Sequence, residues 1–310
     1  MTRPIRPRLS QHFLHDAQAA DRIAGALRAP PGARVAEIGP GRGALTQPLL
    51  ARGWRVTAVE LDSGLAAGLE RRWAGNPALT IIAGDALEYR PPPDPAGEPW
   101  YVIGNLPYAI TSPLLFRWLA FATTLPVAEY VFLMQREVAL RLVAAAGSAA
   151  YGALTVNAGL AADSELLFDL GPGSFRPPPR VRSSVVRLVP HDRWGLDDAR
   201  RQRLRTLVQG LFGQRRKQLQ KSLRTLPSWR LDAVATDRVA AVTGLDLARR
   251  PETLRIEEWL ALDGALADAG TPAASGNRES LRLGGAGGAP SPLDVHPRQQ
   301  EPAHDEEADD

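Results

Sequence analysis

Residues 35–43 read Val-Ala-Glu-Ile-Gly-Pro-Gly-Arg-Gly (VAEIGPGRG), and this stretch decides the fold. Residues 35–38 have the apolar pattern of a buried strand, Gly39, Gly41 and Gly43 make a turn, and residues 44–52 can begin a helix. Glycines between a strand and a helix let the backbone approach a ligand closely at the helix N-terminus. Working outward, residues 56–60 (Val-Thr-Ala-Val-Glu) form a second strand that ends in an acid 21 positions after Gly39. An acid there suits hydrogen bonds to a ribose diol. A third strand over 79–83 runs into Gly84-Asp85, where a carboxylate can bind an adenine amino group. Strand and helix patterns then alternate to about residue 146, which predicts a mostly parallel α/β sheet covered on both faces.

The fourth strand, residues 100–103, leads into Gly104-Asn105-Leu106-Pro107-Tyr108 (GNLPY). Such a turn can hold a flat base that carries an exocyclic amine. Asn105 offers a side-chain carbonyl and Leu106 a backbone carbonyl, so two acceptors can take both hydrogens of an amine and aim its lone pair at an electrophile. Pro107 fixes φ and removes a donor, which stiffens the turn. Tyr108 supplies an aromatic face for stacking. An ordinary Asn-initiated turn with a core tyrosine would read the same way locally. Gly39, Gly41 and Ala44 also satisfy a relaxed dinucleotide fingerprint, so the glycine turn indicates an adenosine-containing cofactor without choosing one. Glu37, Gly43, Asp85 and the GNLPY turn favour S-adenosylmethionine over a nicotinamide.

With 310 residues and 44% hydrophobic content, the chain can bury a large core and carry a second small domain. No stretch approaches a membrane span, no signal-peptide core opens the sequence, and there are no cysteines, so the cytoplasm is the expected compartment. Five scattered histidines have no metal-site spacing, and no metal is expected. The formal charge of +3 is unevenly spread. Residues 270–310 hold three arginines against eight acids, a net of −5, which leaves +8 for residues 1–269. A basic body fits a polyanionic partner.

A basic leader occupies residues 1–16, and a helix follows at about 17–28. Residues 90–99 are Pro-rich and read as a surface loop; residues 130–134 read as a fifth strand and 135–146 as a helix. Residues 166–170 and 181–189 read as a closing antiparallel hairpin with residues 171–179 as its tip. The sheet domain is thus expected over 17–190, a helical RNA-binding domain over 195–268, and a disordered acidic tail over 270–310. From Arg200 to Arg224 there are nine basic residues and no acid, with Leu204, Leu207, Val208, Leu211 and Phe212 in a stripe at helical spacing. Lys217, Lys221 and Arg224 then share a face of the continuing helix and, with Arg215 and Arg216, are the expected RNA-phosphate surface.

Nine motifs occur in order: LSQHFLHD (9–16), EIGPGRGALT (37–46), VELD (59–62), GDAL (84–87), GNLPYAITSPLLF (104–116), MQREVALRL (134–142), YGALTV (151–156), SFRPPPRVRSSVVRL (174–188) and FGQRRKQLQKSL (212–223). Together they resemble the rRNA adenine dimethyltransferase family, most closely its bacterial small-subunit group, over about residues 8–263. The resemblance implies a Rossmann-like class I methyltransferase sheet with a small C-terminal helical domain, S-adenosylmethionine as methyl donor, and a monomer. It further implies dimethylation of two adjacent adenosines in the 3′-terminal hairpin loop of 16S rRNA within an immature 30S subunit. By the same resemblance, His12 and Leu14 lie near the methionine end of the cofactor, Gly39 and Gly41 in its loop, Glu60 on the ribose, Asp85 on the adenine, and Asn105 beside both substrates. Phe175 corresponds to a second aromatic that would stack on the target base opposite Tyr108. Position 12 is His where many relatives have Asn, and the acidic tail is a second departure. Three other readings remain open: a 23S rRNA adenine methyltransferase of the macrolide-resistance type, an assembly factor with secondary catalysis, and a nicotinamide oxidoreductase.

Overall fold

In the computed structural model, which describes residues 12–268, the apolar runs read above as strands pair into one seven-stranded sheet. Most of the basic leader (residues 1–11) and the whole acidic tail (270–310) lie outside the described residues. The first half of the chain contributes β1 (Phe13–Leu14), α1 (Ala17–Gly25), β2 (Arg34–Ile38), α2 (Thr46–Ala51), β3 (Arg55–Glu60), α3 (Ser63–Arg72), β4 (Leu79–Ala83), β5 (Trp100–Asn105) and α4 (Thr111–Phe121). Next come β6 (Val127–Gln135), α5 (Arg136–Leu142), α6 (Ala153–Gly159), β7 (Ala162–Leu170), β8 (Phe175–Arg176) and β9 (Ser183–Pro190). Four helices follow: α7 (Asp198–Gly213), α8 (Leu219–Thr225), α9 (Ala233–Thr243) and α10 (Ile256–Asp268).

The sheet order is β4-β3-β2-β5-β6-β9-β7, parallel from β4 to β6, with β9 antiparallel to both of its neighbours. The chain builds outward from β2 in one direction through β3 and β4, then returns to β2's other side with β5. That reversal opens a crevice at the C-terminal ends of β2 and β5, where ligands bind in sheets of this type. The two strands approach closely there: a Cβ on Gly104 would lie 2.6 Å from the Ile38 carbonyl oxygen.

Alternation along each strand feeds two cores. Val35, Ile103, Val131 and Val185 point to the face packed by α1 and α2, with Ile23 and Leu49 fully buried. Ala36, Val102, Phe132 and Val186 point to the other face, against Leu115 and Trp118 of α4. Aspartates before α1, α3, α7 and α9 (Asp16, Asp62, Asp197 and Asp232) accept from the first free N–H groups of their helices, which fixes where each begins. A third core unites α7–α10 through Leu204, Leu211, Leu223, Val239, Trp259 and Leu262, and takes in Tyr151, Val156 and Leu160 from the region of α6. Arg200 and Arg203 of α7 both face Asp263 of α10, only 4% of whose side chain is exposed, at 3.0 and 3.5 Å.

Several boundaries differ from the sequence-based expectations. The helix expected over 135–146 stops at Leu142, and Gly147 (φ +86°) turns the chain so that its N–H donates to the Glu252 carbonyl. The helix expected to continue through Arg224 breaks at residues 214–218. At 100° per residue, an unbroken helix would carry Leu219 and Leu223 about 80–120° away from Leu211. The break returns both leucines, each fully buried, to the helical core.

Candidate active site

The crevice at the ends of β2, β3 and β5 is an open pocket, lined among others by His12, Phe13, Leu14, Glu37, Gly39, Gly41, Arg42, Glu60, Asp85, Asn105, Leu106, Pro107 and Tyr108. All but one of the cofactor and catalytic residues expected from sequence therefore surround one cavity.

Its floor is the glycine turn. Gly39 donates to the Val59 carbonyl (3.0 Å) and Gly41 to Glu60 Oε2 (2.9 Å), so the turn is tied to the end of β3. Gly41 has φ +59°, and a Cβ there would meet the Phe13 ring at 3.0 Å; both facts exclude a larger residue. Glu60, 3% exposed, accepts a second bond at Oε1 from Asp62 N (2.9 Å). A carboxylate has about four lone-pair sites, so both oxygens can still accept from a ribose diol. Asp85 lies half-buried at the end of β4, with Oδ1 accepting from Leu87 N (2.9 Å). Glu37 lies beneath the turn, 1% exposed; Oε2 accepts from the Thr46 hydroxyl (2.7 Å) and Oε1 has no hydrogen-bond partner among the described residues. Burial pushes its carboxyl up to about 8, the Glu60 charge adds to the shift, and the Thr46 hydrogen bond opposes it. A cation bound above Glu37 favours the carboxylate. This donor set fits S-adenosylmethionine: carboxylates for the ribose and adenine, glycine N–H groups at a turn, and a buried acid beneath a cationic centre.

The rim is the GNLPY turn. Asn105 Nδ2 donates to the His12 carbonyl (3.1 Å), which sets the amide orientation and leaves Oδ1 as an acceptor. Leu106 N–H donates to the Leu133 carbonyl (2.9 Å) and its side chain is buried, so its backbone carbonyl is what it can present; among the described residues that carbonyl accepts no hydrogen bond. The Pro107 carbonyl is taken by Ile110 N and the Thr111 hydroxyl. Tyr108 is half-buried and its hydroxyl bonds Ser183 Oγ at 2.6 Å. Burial raises the phenol above its ordinary value, with the Ser183 bond opposing, so Tyr108 stays neutral. The His12 ring lies 5.5 Å from it, tilted by 37°, and His12 Nδ1 donates to the Pro177 carbonyl (2.8 Å).

Two expectations need correction. Phe175 does not line the pocket: it is 2% exposed and packs in the core beside Leu14, its antiparallel partner in the β1–β8 ribbon. Its role here is to anchor that ribbon, and with it His12, above the glycine turn. The basic run from Arg200 to Arg224 is also less free than its lack of acids implies. Arg200 and Arg203 face Asp263, Arg201 faces Asp192, and Arg215 faces Glu252 at 3.9 Å while donating to the Ala149 carbonyl. Arg216, Lys217 and Lys221 stay exposed without an ion pair among the described residues; exposed Arg224 donates only to the Thr236 hydroxyl. Lys217 lies in the break before α8, so it does not share a helix face with Lys221 and Arg224. Sequence reasoning missed Phe13, Arg42 and Ser183. Each stands inside one of the nine motifs, and only the fold shows that it faces the pocket or bonds Tyr108.

The fold and this pocket define a class I S-adenosylmethionine-dependent methyltransferase. A sequence model of the ribosomal RNA adenine dimethylase family matches residues 3–262, and the chain belongs to that family. It is 43% identical over 266 residues to the ribosomal RNA small subunit methyltransferase A of Rhodopseudomonas palustris strain TIE-1, covering 85% of this chain and 90% of that protein. The protein of the same name from Methylococcus capsulatus is 40% identical over 261 residues, covering 84% and 97%. Among solved structures, a dimethyladenosine transferase from Plasmodium falciparum superimposes with a TM-score of 0.71 at 26% identity, covering 84% of this chain and 99% of that one. The 23S rRNA methyltransferase ErmE superimposes with a TM-score of 0.63 at 28% identity, covering 82% and 99%.

Proposed function

We propose that this protein dimethylates the N6 amines of two adjacent adenosines in the 3′-terminal hairpin loop of 16S rRNA, acting as a monomer on immature 30S subunits in the cytoplasm. Residues 17–190 carry the chemistry and residues 195–268 hold RNA, through Arg216, Lys217, Lys221 and Arg224. The observation that carries the reading is the Asn105 amide. Its NH2 is committed to the His12 carbonyl, so Oδ1 and the Leu106 carbonyl are left as paired acceptors on the rim of the pocket.

The mechanism follows from what those groups can do. When bound, S-adenosylmethionine supplies an electrophilic methyl group, so the protein's main task is to align the nucleophile. An adenine amine is a poor nucleophile because its lone pair is delocalised into the ring. Asn105 Oδ1 and the Leu106 carbonyl accept hydrogen bonds that strengthen as the nitrogen becomes pyramidal and positive, and interactions favouring that state accelerate the step. The proton can leave afterwards to water, so no strong base is required in the turn. The target base must leave its stack to reach the rim, where Tyr108 receives it; stacking worth about 1–3 kcal/mol offsets much of the unstacking cost. His12 steers the Asn105 amide through its carbonyl, and Glu60, Asp85 and the glycine turn orient the donor.

Methyl transfer from labelled S-adenosylmethionine to 30S and, separately, 50S particles from unmethylated cells tests the reading. Label at the 3′ end of 16S rRNA supports it. Label confined to 23S rRNA would transfer the protein to the resistance type, and tight 30S binding without transfer would make it an assembly factor.

A further inference from the structure

The arm between β8 and β9, residues 176–182 (Arg-Pro-Pro-Pro-Arg-Val-Arg), meets the active site at both ends. At its start, Arg176 pairs with Phe13 of β1, and the Pro177 carbonyl accepts from His12 Nδ1. At its end, the Arg182 carbonyl accepts from Arg136 N (2.9 Å), and the next residue, Ser183, bonds the Tyr108 hydroxyl. Pro177, Pro178 and Pro179 fix three successive φ angles, so the arm is stiff. Arg176, Arg180 and Arg182 are exposed, and none forms an ion pair among the described residues. The acid that senses Arg182 is Asp169, which is already held by Ser184 and Arg136. Val181 between them is 45% exposed.

We propose that this arm is a second RNA-binding element, in which Arg176, Arg180 and Arg182 hold the backbone phosphates flanking the adenosine presented to Tyr108 and Asn105. The inference rests on the rRNA methyltransferase reading and names the surface that delivers the substrate strand. Charge complementarity selects the occupant: three exposed guanidiniums within seven residues, none ion-paired among the described residues, suit a chain of phosphates, and arginine pairs with phosphate oxygens in bidentate geometry. A rigid arm suits the task because an unstacked base can be held only if the strand on either side is held too. The basic patch of the helical region grips RNA elsewhere, whereas this arm is bonded to the catalytic rim itself.

The test compares wild type with Arg176→Gln/Arg180→Gln/Arg182→Gln, binding a 16S 3′-terminal hairpin RNA across a salt series, with S-adenosylmethionine affinity and the melting midpoint measured alongside. Removal of each arginine–phosphate pair should flatten the slope of log K against log salt by about 0.7–0.9, so the triple variant should lose about two in slope. KM for RNA should rise while kcat at saturating RNA and cofactor affinity are kept. Arg→Lys at the same three positions should restore most of the slope, which separates lost charge from a disturbed loop. Wild type that methylates the hairpin with a triple variant of unchanged slope and KM would overturn the arm's role and leave the enzyme's identity intact. Wild type that neither binds the hairpin nor methylates unmethylated 30S particles would overturn both. Unchanged hairpin binding with weakened binding to 30S particles would assign the arm to a ribosomal protein instead, and overturn the proposal.

Discussion

Glu37→Gln gives a quantitative test of how the pocket floor is built. Glu37 is 1% exposed, Oε1 has no hydrogen-bond partner among the described residues, and Thr46 relieves the carboxyl through its hydroxyl and its backbone. Its carboxyl is raised from 4.5 to about 8, so the folded protein holds a proton there that the unfolded chain releases. For a raised carboxyl the stabilising contribution is complete below the unfolded value and is lost as pH rises towards the folded value. Between about pH 5.5 and about pH 7.5 the wild type should lose roughly 2–3 kcal/mol through this group, at ~1.36 kcal/mol per pH unit. His191, whose burial lowers its pKa, acts with the opposite sign, gaining stability as pH rises. It is present in both proteins and cancels in the comparison. Glutamine is neutral throughout, so the stability margin of Glu37→Gln over wild type should widen by that same roughly 2–3 kcal/mol between about pH 5.5 and about pH 7.5. At ~2–4 °C per kcal/mol for a chain of this size, the gap in melting midpoint widens by about 5–10 °C. Thermal melts of both proteins at the two pH values read it directly. Parallel pH dependence in the two proteins would show that Glu37 is ionised in the fold and that the account of the floor is wrong.

Asn105→Ala should lower methyl transfer by about 10²–10³-fold or more while RNA affinity stays close to wild type, because the groups it loses act on the reacting amine; wild-type turnover would remove the amine-holding role. Asp263→Ala should cost about 1–3 kcal/mol in urea denaturation, since Arg200 and Arg203, each about a third exposed, lose their shared carboxylate; a cost near zero would show that the contact is solvated. Arg216→Gln and Lys217→Gln should each flatten the salt dependence of RNA binding by about 0.7–0.9, while Arg215→Gln should also loosen the Ala149 and Glu252 contacts. Gly104→Ala should destabilise by about 1–3 kcal/mol and weaken cofactor binding, because its Cβ has to displace the end of β2; an unperturbed variant would mean that β2 and β5 separate easily.

The sheet was legible because its signals are local. Val35, Ala36, Val102 and Ile103 are apolar on both faces of the sheet, as a strand covered on both sides must be, and Gly39 and Gly41 mark where β2 must turn. The pocket was legible for a related reason, since Glu60, Asp85 and Asn105 each end a strand or its turn, and parallel strands bring their ends together. What was not legible depended on distant partners. The run from Arg200 to Arg224 contains no acid, yet Asp263 and Glu252 reach it from 60 and 37 positions along the chain, and no local pattern announces them. Phe175 reads as an exposed loop aromatic until Leu14 pairs with it across 161 positions. The break after Gly213 is a tertiary effect: helix propensity favours continuation, and the burial of Leu219 and Leu223 overrides it.

We propose that this chain delivers methyl groups to paired adenosines of 16S rRNA through the Asn105–Leu106 acceptors. The most direct measurement is the mass of the 3′-terminal 16S fragment from cells in which this chain, wild type or Asn105→Ala, is the sole adenine dimethylase. Two adjacent dimethyladenosines with wild type and none with the variant is the expected result. An unmodified fragment with wild type, or equal modification with Asn105→Ala, would contradict it.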